Sequence, residues 1–313
     1  MPGKNKKVAI LHPDLGIGGA ENLIINIALA LEMKGYKVKI YTPYFDPNRC
    51  FQECHKLDIE VRGNFFPRTI FGRFIAFCAY IRMFLCALWV CFFVSSEYDY
   101  FILDQVSFPI PIMNLFNPRI MFYCHHPDKL LCTNRSSIFM KMYRFWLDLF
   151  EEITTGCAQT IVVNSEYTGR VFRDNFPIIA ANSKKEEAAG WFTKSHSPEV
   201  LYPAINLKVF DKTPGFSQNI SDLLGREIGK NHKIITSLNR YERKKNIPLA
   251  IEAFADYLKR AGDDARGQCT LVIAGGWDPR VAENVEHEKE LRDIAEKHCI
   301  STDVVFLKSI SND

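Results

Sequence analysis

Residues 8–21 have the sequence VAILHPDLGIGGAE, and this stretch sets the architecture of the chain. Its apolar start, 8–11, predicts a buried strand, and the glycines that follow predict a loop. Apolar residues from Leu23 to Leu31 then recur at helical spacing. A strand, a glycine loop and a helix in this order predict the start of a parallel α/β sheet. The loop places free backbone N–H groups at the positive end of a helix dipole, which suits a phosphate or another anion.

A dinucleotide-binding loop is the first hypothesis for this stretch, and two observations oppose it. The pattern Gly16-x-Gly18 begins correctly, but Glu21 occupies the position of the third glycine. The next predicted strand, 37–42, also lacks the terminal acidic residue that would hold a ribose. A nicotinamide-dependent oxidoreductase is therefore disfavoured.

The bulk composition indicates a globular protein of two domains. The chain has 313 residues, 47% of them hydrophobic, which is enough for two ordinary domains. The net charge of +3 is too small to indicate a nucleic-acid partner. The ten cysteines form no Cys-x-x-Cys pair, and the apolar run before His12 is too short for a signal peptide. We therefore expect the body of the protein to face a reducing cytosol.

Alternating strands and helices predict two Rossmann-like halves. We place the first domain at 1–205, a connection at 206–232 and the second domain at 233–313, with a ligand expected in the cleft between the halves. A domain of this kind has about five or six strands, and the second half shows only three, so we expect it to be incomplete. The predicted strands are 8–11, 37–42, 58–61, 100–103, 120–123, 160–163, 200–201, 234–238, 270–274 and 304–307. The predicted helices are 21–34, 139–152, 248–260 and 281–297, besides one apolar segment.

That apolar segment, 74–94, has 21 residues and a single charge, Arg82. It is long enough to cross a bilayer. The strands before and after it are predicted to belong to one sheet, however, and a full span would put them on opposite sides of the membrane. Three alternatives remain open: a helix lying in the membrane interface, which the topology favours, a buried domain helix, and a true span.

Candidate site residues follow the predicted strands, where a parallel sheet exposes its carboxyl ends. His125 follows the fifth strand and is available as a hydrogen-bond donor or proton carrier, or else caps the loop. Arg240 and Lys245 follow the eighth strand, where two cations suit a diphosphate leaving group or else form a solvated basic loop. Gly275 and Gly276 follow the ninth strand and allow either a close backbone approach to a ligand or an ordinary turn.

Four motifs occur in order along the chain: HPDLGIGGAE at 12–21, YCHHPD at 123–128, NRYERKKN at 239–246 and GGWDP at 275–279. Together they closely resemble the Alg2-type α-1,3/1,6-mannosyltransferases, which are retaining enzymes of glycosyltransferase family 4 with the GT-B fold. The resemblance covers essentially the whole chain, and the combination is specific although each motif alone is weak. It implies an α/β protein with two Rossmann-like domains facing a cleft, the first on the acceptor side and the second binding the nucleotide sugar.

The resemblance implies transfer of mannose from GDP-mannose to a dolichol-diphosphate-linked Man1-2GlcNAc2 acceptor, first α-1,3 and then α-1,6. This step belongs to N-glycan precursor assembly on the cytosolic face of the endoplasmic reticulum membrane. Arg240 and Lys245 would neutralise the diphosphate as GDP leaves, and His125 would hydrogen-bond the reacting sugar. No metal or other cofactor is implied. The segment 74–94 fits an acceptor that lies in the membrane, and other glycosyltransferases of the pathway are possible partners. Substrate or donor contacts are implied for Gly18, Gly19, Asp128, Asn239, Gly275 and Gly276.

One element of the family pattern is missing from these residues. The family carries a Glu-x7-Glu element that contacts the ribose and hexose of the donor, downstream of the strand predicted at 304–307. Because the 313 residues end before it, we expect weak or no turnover from this chain alone. The alternative to an enzyme is a non-catalytic, membrane-associated partner of a complete glycosyltransferase.

Overall fold

The chain divides into two compact units, Met1–Asp211 and Lys212–Asp313. The computed structural model describes residues 6–71, 74–131, 137–182, 197–204, 220–225, 227–262, 266–279 and 281–309. The boundary between the units falls inside the predicted connection 206–232, most of which lies outside the described residues.

A seven-stranded parallel sheet is the framework of the first unit. Its strands are β1 (Lys7–Leu11), β2 (Lys37–Thr42), β3 (Ile59–Val61), β4 (Tyr100–Asp104), β5 (Ile120–Cys124), β6 (Thr160–Val163) and β7 (Glu199–Val200). They lie in the order β3-β2-β1-β4-β5-β6-β7. Since all pairs are parallel, the carboxyl ends of β1, β4 and β5 lie side by side at one edge of the sheet.

Helices cover both faces of this sheet. They are α1 (Gly19–Met33), α2 (Ile75–Phe93), α3 (Ile110–Met113), α4 (Ile138–Gly156), α5 (Glu166–Asn175) and α6 (Pro177–Asn182), with short 3-10 turns at Gln52–Lys56, Ser95–Glu97 and Asp128–Leu130. The first helix packs on one face, where its apolar side chains meet Val8, Ile10 and Ile40. The other five pack on the opposite face in one larger core. The sequence pattern did not reveal α5, which begins where the Ser165 side chain accepts a hydrogen bond from the Thr168 N–H at 3.1 Å.

The apolar segment 74–94 forms α2, and one side of this helix lies in the core of the first unit. Cys78, Met83 and Val90 are completely buried against the sheet. Its single charge, Arg82, also points inward and donates to the carbonyl oxygen of Pro43 at 2.6 Å. By length and composition α2 is the one helix among the described residues that could cross a membrane. Its flanking strands do belong to one sheet, as the topological reasoning assumed, and the helix takes part in the core as a buried domain helix would.

Gly63 sets how closely the chain before α2 approaches this helix. Its φ is +78°, and a Cβ there would lie 2.5 Å from the carbonyl oxygen of Arg82 and 2.9 Å from the backbone nitrogen of Cys86. We expect Gly63→Ala to lower the free energy of unfolding by about 3 kcal/mol, because left-handed strain and a backbone clash add. Gly35 is the matched control, since its φ is +86° but its Cβ would meet nothing within 4 Å. Gly35→Ala should introduce only the backbone strain and so lower the free energy of unfolding by about 1 kcal/mol. Equal losses of this free energy in urea titrations of the two variants would contradict the backbone clash expected at Gly63.

The second unit contains a three-stranded parallel sheet in its described residues, in the order β10-β9-β8. Its elements are α7 (Ile220–Leu224), β8 (Lys233–Leu238), a 3-10 turn (Arg243–Lys245), α8 (Ile247–Ala261), β9 (Cys269–Gly275), α9 (Ala282–Lys297) and β10 (Val304–Lys308). The helices α8 and α9 pack together on one face around Ile251, Phe254 and Leu291. The loops that follow β8 and β9 therefore emerge at the same sheet edge.

Candidate active site

Three side chains meet at the carboxyl edge of the first sheet. His12 follows β1, Asp104 ends β4 and His125 follows β5. The Nδ1 atom of His12 lies 2.7 Å from Oδ2 of Asp104 in a hydrogen bond. The Nε2 atom of His125 lies 2.8 Å from the other carboxylate oxygen, a close polar contact whose alignment falls outside that of a good hydrogen bond. One carboxylate therefore lies between two imidazoles.

Because the Asp104 carboxylate is buried, its pKa depends on the groups that contact it. Asp104 and His12 are completely buried, whereas the His125 side chain is 20% exposed. Burial alone would raise the pKa of Asp104, but the contacts with His12 and then His125 outweigh it and hold the pKa below its usual value. The carboxylate is therefore ionised at neutral pH and fixes both rings. Only His125 reaches solvent, so it is the member available to a ligand.

A large cavity of about 1220 Å³ opens beside His125, and every described residue that lines it belongs to the first unit. Its walls come mainly from the beginnings of α2 and α4, so they are mostly apolar and aromatic. The lining residues include Pro13, Phe74, Ile75, Ala76, Ala79, Tyr80, Val106, Leu131, Phe139, Met140 and Tyr143, with Gln105, His125, His126, Asp128 and Arg144 as polar members. An apolar cavity with a few converging polar groups is typical of a binding site.

Asp128 lies at the polar end of this cavity. Its Oδ2 accepts from the Tyr80 hydroxyl at 3.2 Å and from the Arg144 guanidinium at 3.3 Å. Arg144 also donates to Asp148 at 2.8 Å. Glu151 holds the loop from beneath, since its carboxylate accepts from the backbone N–H of Asp128 at 2.6 Å. Opposite charges thus balance each other under the cavity, and the loop that carries His125 is held in place.

Glu151 carries a testable pH dependence. Burial, together with the charge of Asp128, raises its pKa to about 7, although backbone N–H donors oppose the shift. In the folded protein it keeps a proton that the unfolded chain has already released, so its stabilising contribution is complete below about pH 4.5 and is lost as the pH rises through 7. We expect the unfolding free energy of the native protein, relative to Glu151→Gln, to fall by roughly 3 kcal/mol between pH 4 and pH 8. Denaturant titrations across this range measure the difference, and a constant value would contradict the shifted pKa.

The glycine loop at 12–21 leads into α1 in the same unit. Gly18 is the N-cap of α1 and Gly19 its first residue; no side chain caps the helix. A Cβ at Gly18 would collide with the Glu21 carboxylate, which folds back over the beginning of the helix. Nothing lies within 4 Å of a Cβ at Gly19, so this position is open to a ligand.

The predicted basic residues lie on the loop after β8 in the second unit. Arg240 is 61% exposed and makes an ion pair with Glu242 at 3.3 Å, and the Lys245 side chain is exposed at the end of a 3-10 turn. Tyr241, between them in sequence, is completely buried and donates from its hydroxyl to the Ile273 carbonyl oxygen at 3.0 Å. This anchor turns the charged residues of the loop outward.

The glycines after β9 lie directly against that basic loop. Gly275 has a φ of +147°, and a Cβ there would collide with the Asn239 carbonyl group. A Cβ at Gly276 would lie 3.2 Å from Cγ of Arg240. The loops after β8 and β9 therefore form one surface, and their glycines permit its close packing.

The structure gathers six of the predicted site residues into two groups, each within its own unit, and places Gly18, Gly19 and Lys245 outside these groups. The first sheet brings His125 and Asp128 to one cavity, and the second brings together Asn239, Arg240, Gly275 and Gly276. Sequence reasoning missed Asp104 and His12 as site residues. Each follows a predicted strand directly, so the rule that selected His125 applies equally to them. Among the described residues no cluster of three or more His, Cys, Asp or Glu side chains could hold a metal ion; the absence of a cofactor stays a prediction.

Comparison with known proteins decides the family. The Glycosyltransferase Family 4 model matches residues 17–183, and the Glycosyl transferases group 1 model matches residues 225–313. The α-1,3/1,6-mannosyltransferase ALG2 of Dictyostelium discoideum is 43% identical over 99% of this chain and 73% of its own length. The Homo sapiens ALG2 is 41% identical over 97% of this chain and 70% of its own length. The chain belongs to the ALG2 family of α-1,3/1,6-mannosyltransferases.

Solved structures confirm the fold predicted for this ALG2-family chain. Sucrose-phosphate synthase from Thermosynechococcus elongatus has a TM-score of 0.65 at 16% identity, covering 98% of this chain and 71% of its own. Anabaena HepE, solved with UDP and glucose, has a TM-score of 0.62 at 16% identity, covering 98% of this chain and 70% of its own. At such identities the likeness shows the fold alone, which is GT-B.

The candidate residues of this ALG2-family chain lie in the regions that both family models match. His125, Asp104 and the cavity between α2 and α4 lie inside the Family 4 match, and Arg240 and Lys245 lie inside the group 1 match. The chain is therefore a glycosyltransferase whose candidate residues occur in both matched domains.

Proposed function

We propose that this protein transfers mannose from GDP-mannose to a dolichol-diphosphate-linked Man1-2GlcNAc2 acceptor, first in α-1,3 and then in α-1,6 linkage, with retention. Identity of 41–43% to two ALG2 mannosyltransferases over nearly the whole chain supports the reaction class. The observation that carries the proposal is a histidine, His125, held by buried Asp104 at the mouth of a large apolar cavity. That arrangement combines a polar group for a sugar with space for an apolar acceptor.

His125 acts on the reacting sugar in this proposal. Its ring is the exposed member of the group it forms with Asp104 and His12, and the ionised carboxylate fixes its orientation. Because Nε2 faces Asp104, Nδ1 is the ring atom that can accept a hydrogen bond from a sugar hydroxyl, and a ring held in this orientation needs little reorganisation during the reaction. Asp128 offers a carboxylate at the same end of the cavity, where sugar hydroxyls are suitable donors.

Arg240 and Lys245 stabilise the leaving group in this proposal. When the bond between the mannose anomeric carbon and the phosphate oxygen breaks, negative charge develops on the diphosphate of GDP. Exposed cations on an anchored loop meet that charge. Gly275 and Gly276 let the loop after β9 pack closely against Asn239 and Arg240, so the two loops offer the donor one surface. In the first unit, Gly19 at the N-terminus of α1 leaves room for an anionic group, whereas the Glu21 carboxylate lies against Gly18.

The cytosolic face of the endoplasmic reticulum membrane is the proposed location. An acceptor attached to dolichol stays in the bilayer, so the enzyme has to work at the membrane surface. Apolar side chains remain exposed at the beginning of α2, with Ile75 at 65%, which fits surface contact. Other glycosyltransferases that act on the same lipid-linked glycan are proposed partners.

Transfer from radiolabelled GDP-mannose tests the reaction. We expect the full-length protein to convert lipid-linked Man1GlcNAc2 to Man3GlcNAc2, with linkage-specific mannosidases releasing one α-1,3 and one α-1,6 mannose. UDP-glucose is the control donor and should give no product. The alternative of a non-catalytic partner predicts instead that the protein binds no GDP-mannose and co-purifies with a complete glycosyltransferase.

A further inference from the structure

The polarity of α4 is reversed relative to an ordinary surface helix. Three of its charged side chains face the interior: Arg144, Glu151 and Glu152 are each at most 7% exposed. They are occupied there, since Arg144 pairs with Asp128 and Glu152 accepts from the backbone N–H of Ile178 at 2.6 Å. The buried charges of α4 are therefore held by hydrogen bonds and ion pairs, and most of its large apolar side chains lie on the opposite face.

The outer face of α4 is large and apolar. We define it as Ile138, Phe139, Met142, Phe145 and Trp146, which are between 56% and 81% exposed. Positions 138, 142, 145 and 146 have the spacing of one helical face. Single exposed apolar residues are normal, but a contiguous patch of this size indicates an interaction surface. The patch continues onto α2 through the edge-to-face contact of Phe74 with Tyr143, whose ring centroids are 5.5 Å apart.

We propose that the outer face of α4 docks the protein on a lipid bilayer, with the helix lying in the membrane interface. Phe139, a member of this face, and Phe74, which contacts Tyr143, also line the cavity beside His125. An apolar surface that adjoins an apolar cavity lets a lipid-borne acceptor pass from the bilayer to the site without crossing water. The choice of a bilayer as the occupant rests on the proposed function, which needs a lipid-linked acceptor.

The residues of the helix fit that occupant. Residues 137–147 contain no acidic side chain, and Lys141 is exposed within the outer face. A lysine there can place its stem along the apolar surface and its ammonium group among lipid phosphates. Tryptophan and phenylalanine are the side chains that membrane interfaces favour.

The far end of α2 provides a matched comparison. Phe92 and Phe93 are 67% and 69% exposed, and Phe92 contacts Phe116 with ring centroids 5.3 Å apart. This second patch is as apolar as the outer face of α4. It lies about 28 Å away along α2, at the amino edge of the sheet, where no residue lines the cavity.

Flotation with vesicles of phosphatidylcholine and phosphatidylinositol tests the docking surface. We expect the double substitution Phe145→Gln and Trp146→Gln to weaken partitioning at least about tenfold, and Phe92→Gln with Phe93→Gln to change it less than about twofold. Equal thermal unfolding midpoints show that both variants fold. Equal losses in the two variants, or loss only in the second, would overturn the proposal.

Fluorescence locates the contact independently. Brominated phosphatidylcholine should quench part of the tryptophan emission of the native chain, and Trp146→Phe should abolish that part. If a second copy of the chain covers this face instead, sedimentation will show a dimer that the Phe145 and Trp146 substitutions dissociate, with no quenching, and the proposal fails. Neither measurement involves sugar transfer, so their failure is distinguishable from failure of the proposed reaction.

Discussion

Replacing Arg240 or Lys245 by alanine is expected to lower the rate of mannosyl transfer by about 10²–10³-fold in each single variant. Each substitution removes a cation from the place where the leaving diphosphate gains charge. Both side chains are exposed, and the buried anchor Tyr241 remains in each variant. The loop should therefore keep its shape. The measurement is single-turnover transfer by the full-length protein with saturating GDP-mannose, which separates the chemical step from donor binding.

Lys244 is the matched control for Lys245. It is 70% exposed and pairs with Glu242 at 3.1 Å, so it is a neighbouring cation of the same type on the same loop. Lys244→Ala should keep the transfer rate within about twofold of the native value, as expected for a surface charge. A native transfer rate in the Arg240 and Lys245 variants would remove them from the leaving-group role. An equal loss in all three would indicate a general effect of loop charge.

Replacing Asp104 by asparagine is expected to lower the turnover number by about 10²-fold or more while leaving the KM for GDP-mannose nearly unchanged. The amide has the shape of the carboxylate but lacks its charge, so neither imidazole keeps its strongest partner. His125 then samples other orientations, and a displacement of about 1 Å at the reacting sugar is enough for a loss of this size.

Asp99 supplies the control for that substitution. It lies just before the amino end of β4 and accepts from the backbone N–H of Lys7 at 2.8 Å, far from His125 along the strand. Asp99→Asn should leave the turnover number unchanged. If Asp104→Asn also turns over normally, the carboxylate has no part in orienting His125.

The lowered pKa of Asp104 adds a second observable. A lowered pKa stabilises the folded state above the pKa of the unfolded chain, about 4. The extra unfolding free energy of the native protein over Asp104→Asn should therefore shrink as the pH falls below about 4. Denaturant titrations measure this difference between the two proteins.

The positions of the strands could be predicted because most strands in both sheets are short apolar runs bounded by turn residues. The predicted strand 234–238, for example, occupies Lys233–Leu238 in the structure. The helix predicted at 139–152 was harder to place, since it extends over Ile138–Gly156. Its periodicity is clear, but a periodic pattern shows only that one face is apolar. It does not show which face the protein buries.

The cluster around His125 likewise combines a residue that the sequence predicts with a partner that only the tertiary structure identifies. The sequence placed His125 at the end of a strand, yet it could not select Asp104 as its partner, because 21 residues separate the two positions. They become neighbours only when β4 and β5 pair in parallel register. The family and its four motifs could be recognised because they are local in sequence, each within ten residues.

By itself, then, the sequence determined the strands, the five longest helices, the GT-B fold, the family and the loops that carry candidate residues, since each of these follows from local patterns or from ordered motifs. The tertiary structure alone decided that Asp104 lies between His12 and His125, that α2 takes part in the core, and that α4 buries Arg144 and two glutamates while it exposes aromatic side chains. These features depend on contacts between distant segments. Their free energies come from burial and pairing in the folded chain, which no single segment contains.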